Sequence, residues 1–281
     1  MQINLAIKKW LCSFSYIFTF LLGSCGLFEY TPYDINLEED EKDSNRKNIE
    51  RLAKYELQTN GSDGVVKFAF IADNQNYFAE LEKGIEDVNE QDSIDFILNG
   101  GDFTEFGLPS EYEASFSIYE RAQSPFMTVI GNHDYLGVGQ PMFKEMYGAF
   151  NESFIFRRVK FILLDTNSLE NQFNGKVPDV AWLSKEMSPS EDFDQIVIIC
   201  HVGIFPEENA LDQNLYPELD KLISETPSVL AVIHGHSHNY IVRYPYSNES
   251  VPSIQVNAML NNEYTIFWIE DGQIKWERKK V

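Results

Sequence analysis

From Val65 onward, short apolar runs alternate with stretches of helical periodicity. Runs at 66–71, 96–98, 126–130, 161–164, 196–200 and 229–233 are four to six residues long or close to it, and rich in Val, Ile and Phe, the signature of buried strands. Between several of them, 77–89, 110–122, 179–187 and 212–224 place apolar residues three and four apart, which predicts amphipathic helices. Pro109 and Pro178 sit where a helix can begin. From Tyr240 on, the pattern is strand-like at 254–256, 265–269 and 273–277, with no helical spacing between these pieces. Strand–helix alternation followed by strands predicts an α/β sandwich with a mixed sheet. No internal repeat is visible.

The first sixty residues read differently. Lys8 and Lys9 precede an apolar stretch at 10–22, within the length of a signal sequence and short for a membrane span. Leu22-Gly23-Ser24-Cys25 comes next and resembles a bacterial lipobox. The resemblance implies a signal peptide at 1–24, lipid on Cys25, and a protein held by its acyl chains at the bacterial cell envelope, on a periplasmic or outer-membrane face. Residues 25–60 are polar and acidic, with Glu38, Glu39, Asp40 and Glu41 in a row, and read as a tether. Within it Ile49, Leu52, Ala53 and Leu57 recur at helical spacing and predict a short helix docked on the domain that spans 61–281.

Composition narrows the chemistry. A chain of 281 residues with 43% hydrophobic residues can bury a sizeable core. Its formal charge of -22 repels polyanions, so nucleic acid is not expected as a partner. Phosphorylated small molecules stay compatible, because bound divalent ions invert the local field. Besides Cys12 and Cys25 there is one further cysteine, Cys200, so no disulfide framework is expected, and Cys200 reads as a small buried residue.

The residues at the strand ends are more telling. Asp73-Asn74-Gln75, Asn99-Gly100-Gly101-Asp102, Gly131-Asn132-His133-Asp134, His201, and His234-Gly235-His236-Ser237-His238 each come directly after an apolar run. Ligands bind at the carboxyl ends of strands in open α/β sheets. All five histidines of the chain lie in these segments. A lone strand-end Asp is ordinary turn chemistry. Carboxylate, amide and imidazole gathered at five strand ends instead suit divalent first-row ions.

In these blocks the sequence resembles the calcineurin-like metallophosphoesterase superfamily, over Val65 to about Val256. The resemblance implies a four-layer αββα sandwich with two mixed sheets, and two divalent metal ions (Mn, Fe or Zn) at the strand ends. It implies that Asp102 bridges both ions, that Asp73, Gln75 and His238 complete the first, and that Asn132, His201 and His236 complete the second. A water activated by the metals would attack phosphorus, and His133, oriented by Asp134, would assist the leaving oxygen. Glu105 would orient a ligand. The substrate implied is a small phosphomonoester or phosphodiester. One position departs from the common pattern: the first block usually ends in His and here ends in Gln75, a weaker donor for Zn or Fe. The superfamily's purple acid phosphatases use a metal-binding Tyr in a block of another form, which this sequence does not show. A non-catalytic surface lipoprotein that keeps the fold and binds a metal or ligand is the competing reading, and Gln75 is its support.

For the neighbouring residues the plainer readings are favoured: His234 as a buried imidazole, Tyr77 and Tyr135 as packing, and Asp165-Thr166-Asn167 as turn chemistry.

Overall fold

The computed structural model describes residues 31–59 and 64–281. The proposed signal peptide, Cys25 and the first part of the tether lie outside the described residues. The compact unit runs from Ile35 to Val281.

Helix α1 (Ser44–Thr59) opens this unit. Strands β1 (Val66–Ile71), β2 (Phe96–Asn99) and β3 (Phe126–Thr128) run parallel. They are joined by α2 (Phe78–Glu90) and α3 (Pro109–Tyr119). Next come α4 (Gly139–Met146), β4 (Glu152–Phe156), β5 (Val159–Leu164) and α5 (Val180–Glu186). Strand β6 (Gln195–Cys200), α6 (Tyr216–Glu225) and β7 (Val229–His234) come after them. The chain closes with β8 (Ile241–Arg243), β9 (Ser253–Gln255), β10 (Glu263–Glu270) and β11 (Gln273–Lys280). One sheet has the order β11-β10-β1-β2-β3, the other β4-β5-β6-β7-β9-β8. Both are mixed: β10 joins β1 antiparallel, while β5, β6, β7 and β9 are parallel neighbours.

The period-two rule of strands builds the layers. In β1, Phe68 and Phe70 point into a core shared with Phe161, Val197 and Ile233 of the other sheet. Ala69 and Ile71 point the opposite way, onto Leu81, Ile85, Tyr112 and Phe143 of the helices. Likewise Val197 and Ile199 of β6 face the first sheet, whereas Ile198 and Cys200 pack with Leu183, Leu219 and Ile223. Both faces of each sheet are therefore covered, which gives the αββα sandwich and explains why the strands read as continuous apolar runs. Stacked and edge-on rings fasten the centre: Phe68 lies 5.4 Å from Phe96, and Phe96 lies 5.1 Å from Phe161. Cys200 is fully buried.

Several elements differ from the sequence expectation. Helix α1 extends further back than the apolar spacing implied, because Asn45 exchanges a pair of hydrogen bonds with the backbone of Thr128 on edge strand β3. Leu52 is buried in α1, but Leu57 is 79% exposed, so the docked face is narrower than predicted. Helix α6 starts at Tyr216 rather than Asp212, since the Asp212 carboxylate accepts from Asn214 in a turn and Pro217 lies in the first helical turn. Helix α4 and strand β4 had no counterpart in the pattern. Both are short, and β4 leaves Ile155 exposed on its outer face.

Candidate metal centre

Strands β1, β2, β3, β6 and β7 deliver the polar blocks to one place, where the carboxyl ends of the two sheets meet. The join is direct: His201, after β6, sets its Nδ1 2.8 Å from the carbonyl of Gly100, after β2. The backbone amide of His236, after β7, donates to both oxygens of Asp73, after β1, at 3.0 and 3.1 Å. Gly131 permits a close approach here, because a Cβ there would overlap the amide and carboxylate of Asp102.

Asp102 stands at the centre. Its Oδ1 accepts from the backbone amide of His133 at 2.9 Å, and its Oδ2 lies 3.2 Å from His201 Nε2. Two groups of ligand-type atoms converge, each within 4.8 Å: Asp102, His201 and His236 in one, Asp73, Asp102 and His238 in the other. Asn132 joins the first group through Oδ1, 3.0 Å from His201 Nε2 and 2.9 Å from His236 Nδ1. Asp73 Oδ1 faces His238 Nε2 at 3.6 Å. Gln75 is 8% exposed, and its backbone amide donates to the carbonyl of Asp102 at 2.9 Å. Five of these residues, Asp73, Gln75, Asp102, His236 and His238, have positive φ, from 44° to 78°. That conformation costs a non-glycine residue on the order of 1 kcal/mol or more and gathers where surrounding structure enforces a functional geometry.

The donor set fits a cation. With His201 Nδ1 assigned as donor to Gly100, its Nε2 presents a lone pair to Asp102 Oδ2, Asn132 Oδ1 and, at 3.3 Å, His236 Nδ1. Asp102 Oδ2, Asn132 Oδ1 and a bare His201 Nε2 are all acceptors, so a proton or a cation must lie between them. Burial works against charging His201, but the charge and hydrogen bond of Asp102 outweigh it and lift the imidazole to about 10. A proton therefore supplies one unit of charge, and a divalent ion would supply two in its place. Burial would also raise Asp102; the charge and hydrogen bond of His201 prevail and hold it low. Burial pushes Asp73 up. Burial, with the His201 charge, brings His236 down to about 4, an imidazole that is a lone-pair donor at neutral pH.

The surrounding contacts revise two sequence assignments, those of Asp134 and Glu105. The His133 ring is oriented by Glu105, whose carbonyl lies 2.9 Å from Nδ1 and whose carboxylate lies 3.9 Å away. Asp134 does not hold that ring. Its carboxylate accepts from the backbone amides of Asp102, Gly131 and Thr104 at 2.8 to 2.9 Å and from the Thr104 hydroxyl. Asp134 is next to His133 in the chain, but the turn (His133–Tyr135) sends the two side chains apart, and Asp134 ties together the loops that carry the ligands. Glu105 orients His133 rather than a metal ligand.

Other positions fall where their plainer readings put them. His234 is buried against Ser253 Oγ at 3.2 Å, and burial depresses it to about 3. Tyr135 is buried and donates to the Asp165 carboxylate, which also accepts from the Asn167 amide in a turn. Tyr77 is the exception: expected to pack, it is 48% exposed. Two residues near the site were given no role by the sequence. Thr104 is a small polar residue in an otherwise recognisable block. Glu208, in a loop without periodicity, sets Oε1 3.9 Å from His236 Nε2.

Comparison with known proteins identifies the family and the fold. A sequence model of the family described as calcineurin-like phosphoesterase matches residues 66–240. Purple acid phosphatase 3 of Arabidopsis thaliana is 29% identical over 199 residues, covering 64% of this chain and 50% of the plant protein, so the chain spans about half the length of that relative. The likeness is to the phosphatases that the sequence set apart for want of a metal-binding Tyr. Among solved structures, a dimetal phosphatase from Danio rerio superposes with a TM-score of 0.61 at 12% identity, covering 76% of this chain and 96% of the other. Purple acid phosphatase PPD1 of yellow lupin gives 0.61 at 13%, covering 78% and 52%. GAP50 of Plasmodium gives 0.59 at 16%, covering 77% and 84%. At such identities these superpositions show the shared fold.

Proposed function

The chain belongs to the calcineurin-like phosphoesterase family, and on that premise we propose that it is a dinuclear metal-dependent hydrolase of phosphomonoesters or phosphodiesters. The observation that carries this reading is the pair of ligand groups sharing Asp102, with the backbone amide of His133 donating to the same carboxylate. When bound, two divalent ions supply Lewis acidity and an activated water at neutral pH. Asp73, Gln75, Asp102 and His238 would hold one, and Asp102, Asn132, His201 and His236 the other.

Around that centre each side chain has its own task. The amide of Asn132 faces the site beside His201 and His236 and can orient a phosphoryl oxygen. His133 holds the proton for the leaving oxygen. Its Nδ1 is engaged by the Glu105 carbonyl, which leaves Nε2 to exchange the proton. Burial opposes its charging, but Asp102 and that carbonyl prevail and raise its pKa, which suits a general acid near neutrality. Asp134 keeps the Asp102, Gly131 and Thr104 backbones in register.

A second reading retains the fold and the ligand but not turnover. Gln75 favours it, and GAP50, described as the anchor in the inner membrane complex of Plasmodium, has a similar fold. Turnover of p-nitrophenyl phosphate and bis-p-nitrophenyl phosphate with added Mn separates the two. Turnover abolished by Asp102→Ala and by His133→Ala supports the hydrolase; none with either ester, or turnover that survives both changes, contradicts it. We further propose that lipid on Cys25 holds the enzyme at the bacterial envelope, so Cys25→Ala should move it from the membrane to the soluble fraction.

A further inference from the structure

The turns that bring Glu105 and His133 together each end in an exposed apolar residue. Phe106 is 56% exposed and Leu136 is 45% exposed. They are neighbours because the two turns interlock: a Cβ on Gly107 would overlap the carbonyl of Leu136, and one on Gly137 would come 2.9 Å from the carbonyl of Phe106. Both turns are braced. The Phe106 amide donates to the buried carboxylate of Glu111 at 3.0 Å, as does the amide of Leu108 at 3.1 Å. The Leu136 amide donates to the His133 carbonyl at 3.1 Å, and Tyr112 fastens the same turn from below through the carbonyls of Asp134 and Gly139. Two apolar side chains are thus held in water on the turns that carry Glu105 and His133, where burying them against a ligand is favourable.

We propose that Phe106 and Leu136 are specificity-determining residues that receive the leaving group of an apolar, uncharged alcohol or phenol. The inference rests on the hydrolase reading, in which His133 faces the leaving oxygen. Charge selects the occupant. The Glu105 carboxylate, with a side chain 30% exposed and 3.9 Å from His133 Nδ1, lies on the same flank. It opposes nucleotides and other anionic leaving groups, and a net charge of -22 acts in the same sense. An aryl or alkyl group meets no such penalty and removes apolar surface from water.

The test measures binding to the full-length, Mn-loaded protein, so it does not depend on turnover. Phenylphosphonate presents a phosphoryl group with a ring on the leaving side; methylphosphonate presents the same group without the ring. Titration calorimetry should give about tenfold tighter binding of phenylphosphonate, the size expected for partial burial of one ring. In Phe106→Ser and in Leu136→Ser that preference should fall to about threefold or less, with methylphosphonate affinity unchanged, which also shows that the variants are folded. Equal affinities in the unaltered protein, or a preference that persists in both variants, would overturn the inference. Failure of both phosphonates to bind would overturn it together with the hydrolase reading. A preference that is intact without any turnover of aryl phosphate would overturn the hydrolase reading and, with it, the leaving-group role of Phe106 and Leu136.

Discussion

His201 Nε2 lies 3.2 Å from Asp102 Oδ2, while the other nitrogen of the same ring lies 2.8 Å from the carbonyl of Gly100. One residue from the second sheet is thereby clamped between two positions of the first, and its ligand atom is aimed at the shared carboxylate. The proposed chemistry depends on that clamp, since neither sheet alone holds a complete set of ligands.

The clamp has a protonic consequence. Asp102 lifts His201 to about 10 against the opposing effect of burial, so the ring carries an extra proton at neutral pH and must release it to bind a metal. Metal affinity should fall as pH drops below about 10, by about tenfold per unit for the one proton displaced. Calorimetric titration with Mn in buffers of different ionisation enthalpy measures this. A heat of binding that is independent of buffer at pH 7 would show that no proton leaves.

Asp134 and His133 should separate cleanly on substitution. Asp134→Asn puts an amide where three backbone amides and a hydroxyl now donate, and should cost about 2–3 kcal/mol of stability. His133→Gln should leave the melting temperature nearly unchanged and lower kcat by roughly 10²–10⁴-fold. Thermal melts beside steady-state rates decide it; equal stability of the two variants would mean that Asp134 does not hold the loops.

Gln75→His should strengthen metal binding at the Asp73 group and shift its preference from Mn toward Zn, because imidazole is the softer and stronger donor. Elemental analysis after dialysis against mixed metals gives the answer. Unchanged occupancy and preference would remove Gln75 from the ligand set.

Away from the site, burial raises Glu152 to about 6 against the opposing pull of Arg46, and its Oε2 lacks a hydrogen-bond partner. The folded state thus holds this proton more tightly than the unfolded chain. Stability from it is full below about pH 4.5 and is lost as pH rises through about 6. Glu152→Gln should stabilise the protein by about 1 kcal/mol above pH 6, a figure reduced for the partial solvation of the side chain, and have little effect near pH 4. Denaturant melts at both pH values check the sign.

Most of the candidate site was legible because its ligand-type residues come directly after apolar strands, and strands such as β1 and β6 are covered on both faces and read as unbroken hydrophobic runs. The sandwich was legible from the same runs together with the resemblance those blocks carry. Helix α4 and strand β4 were not legible, since Met142, Phe143 and Met146 make too short a stripe and Ile155 breaks the alternation by facing water. Adjacency in sequence makes Asp134 look like the partner of His133, whereas a turn of three residues separates their side chains. Thr104, Glu105 and Glu208 act through tertiary proximity. Glu208 lies 28 residues from His236 in the chain, and no spacing rule connects them.

The proposed chemistry turns on the shared role of Asp102, and metal stoichiometry tests that role most directly. Elemental analysis of the purified protein after Mn loading should find two ions per chain, and Asp102→Asn should lose both along with at least ~10²-fold in kcat toward p-nitrophenyl phosphate. Two ions retained in Asp102→Asn, or unaltered turnover by that variant, would contradict it.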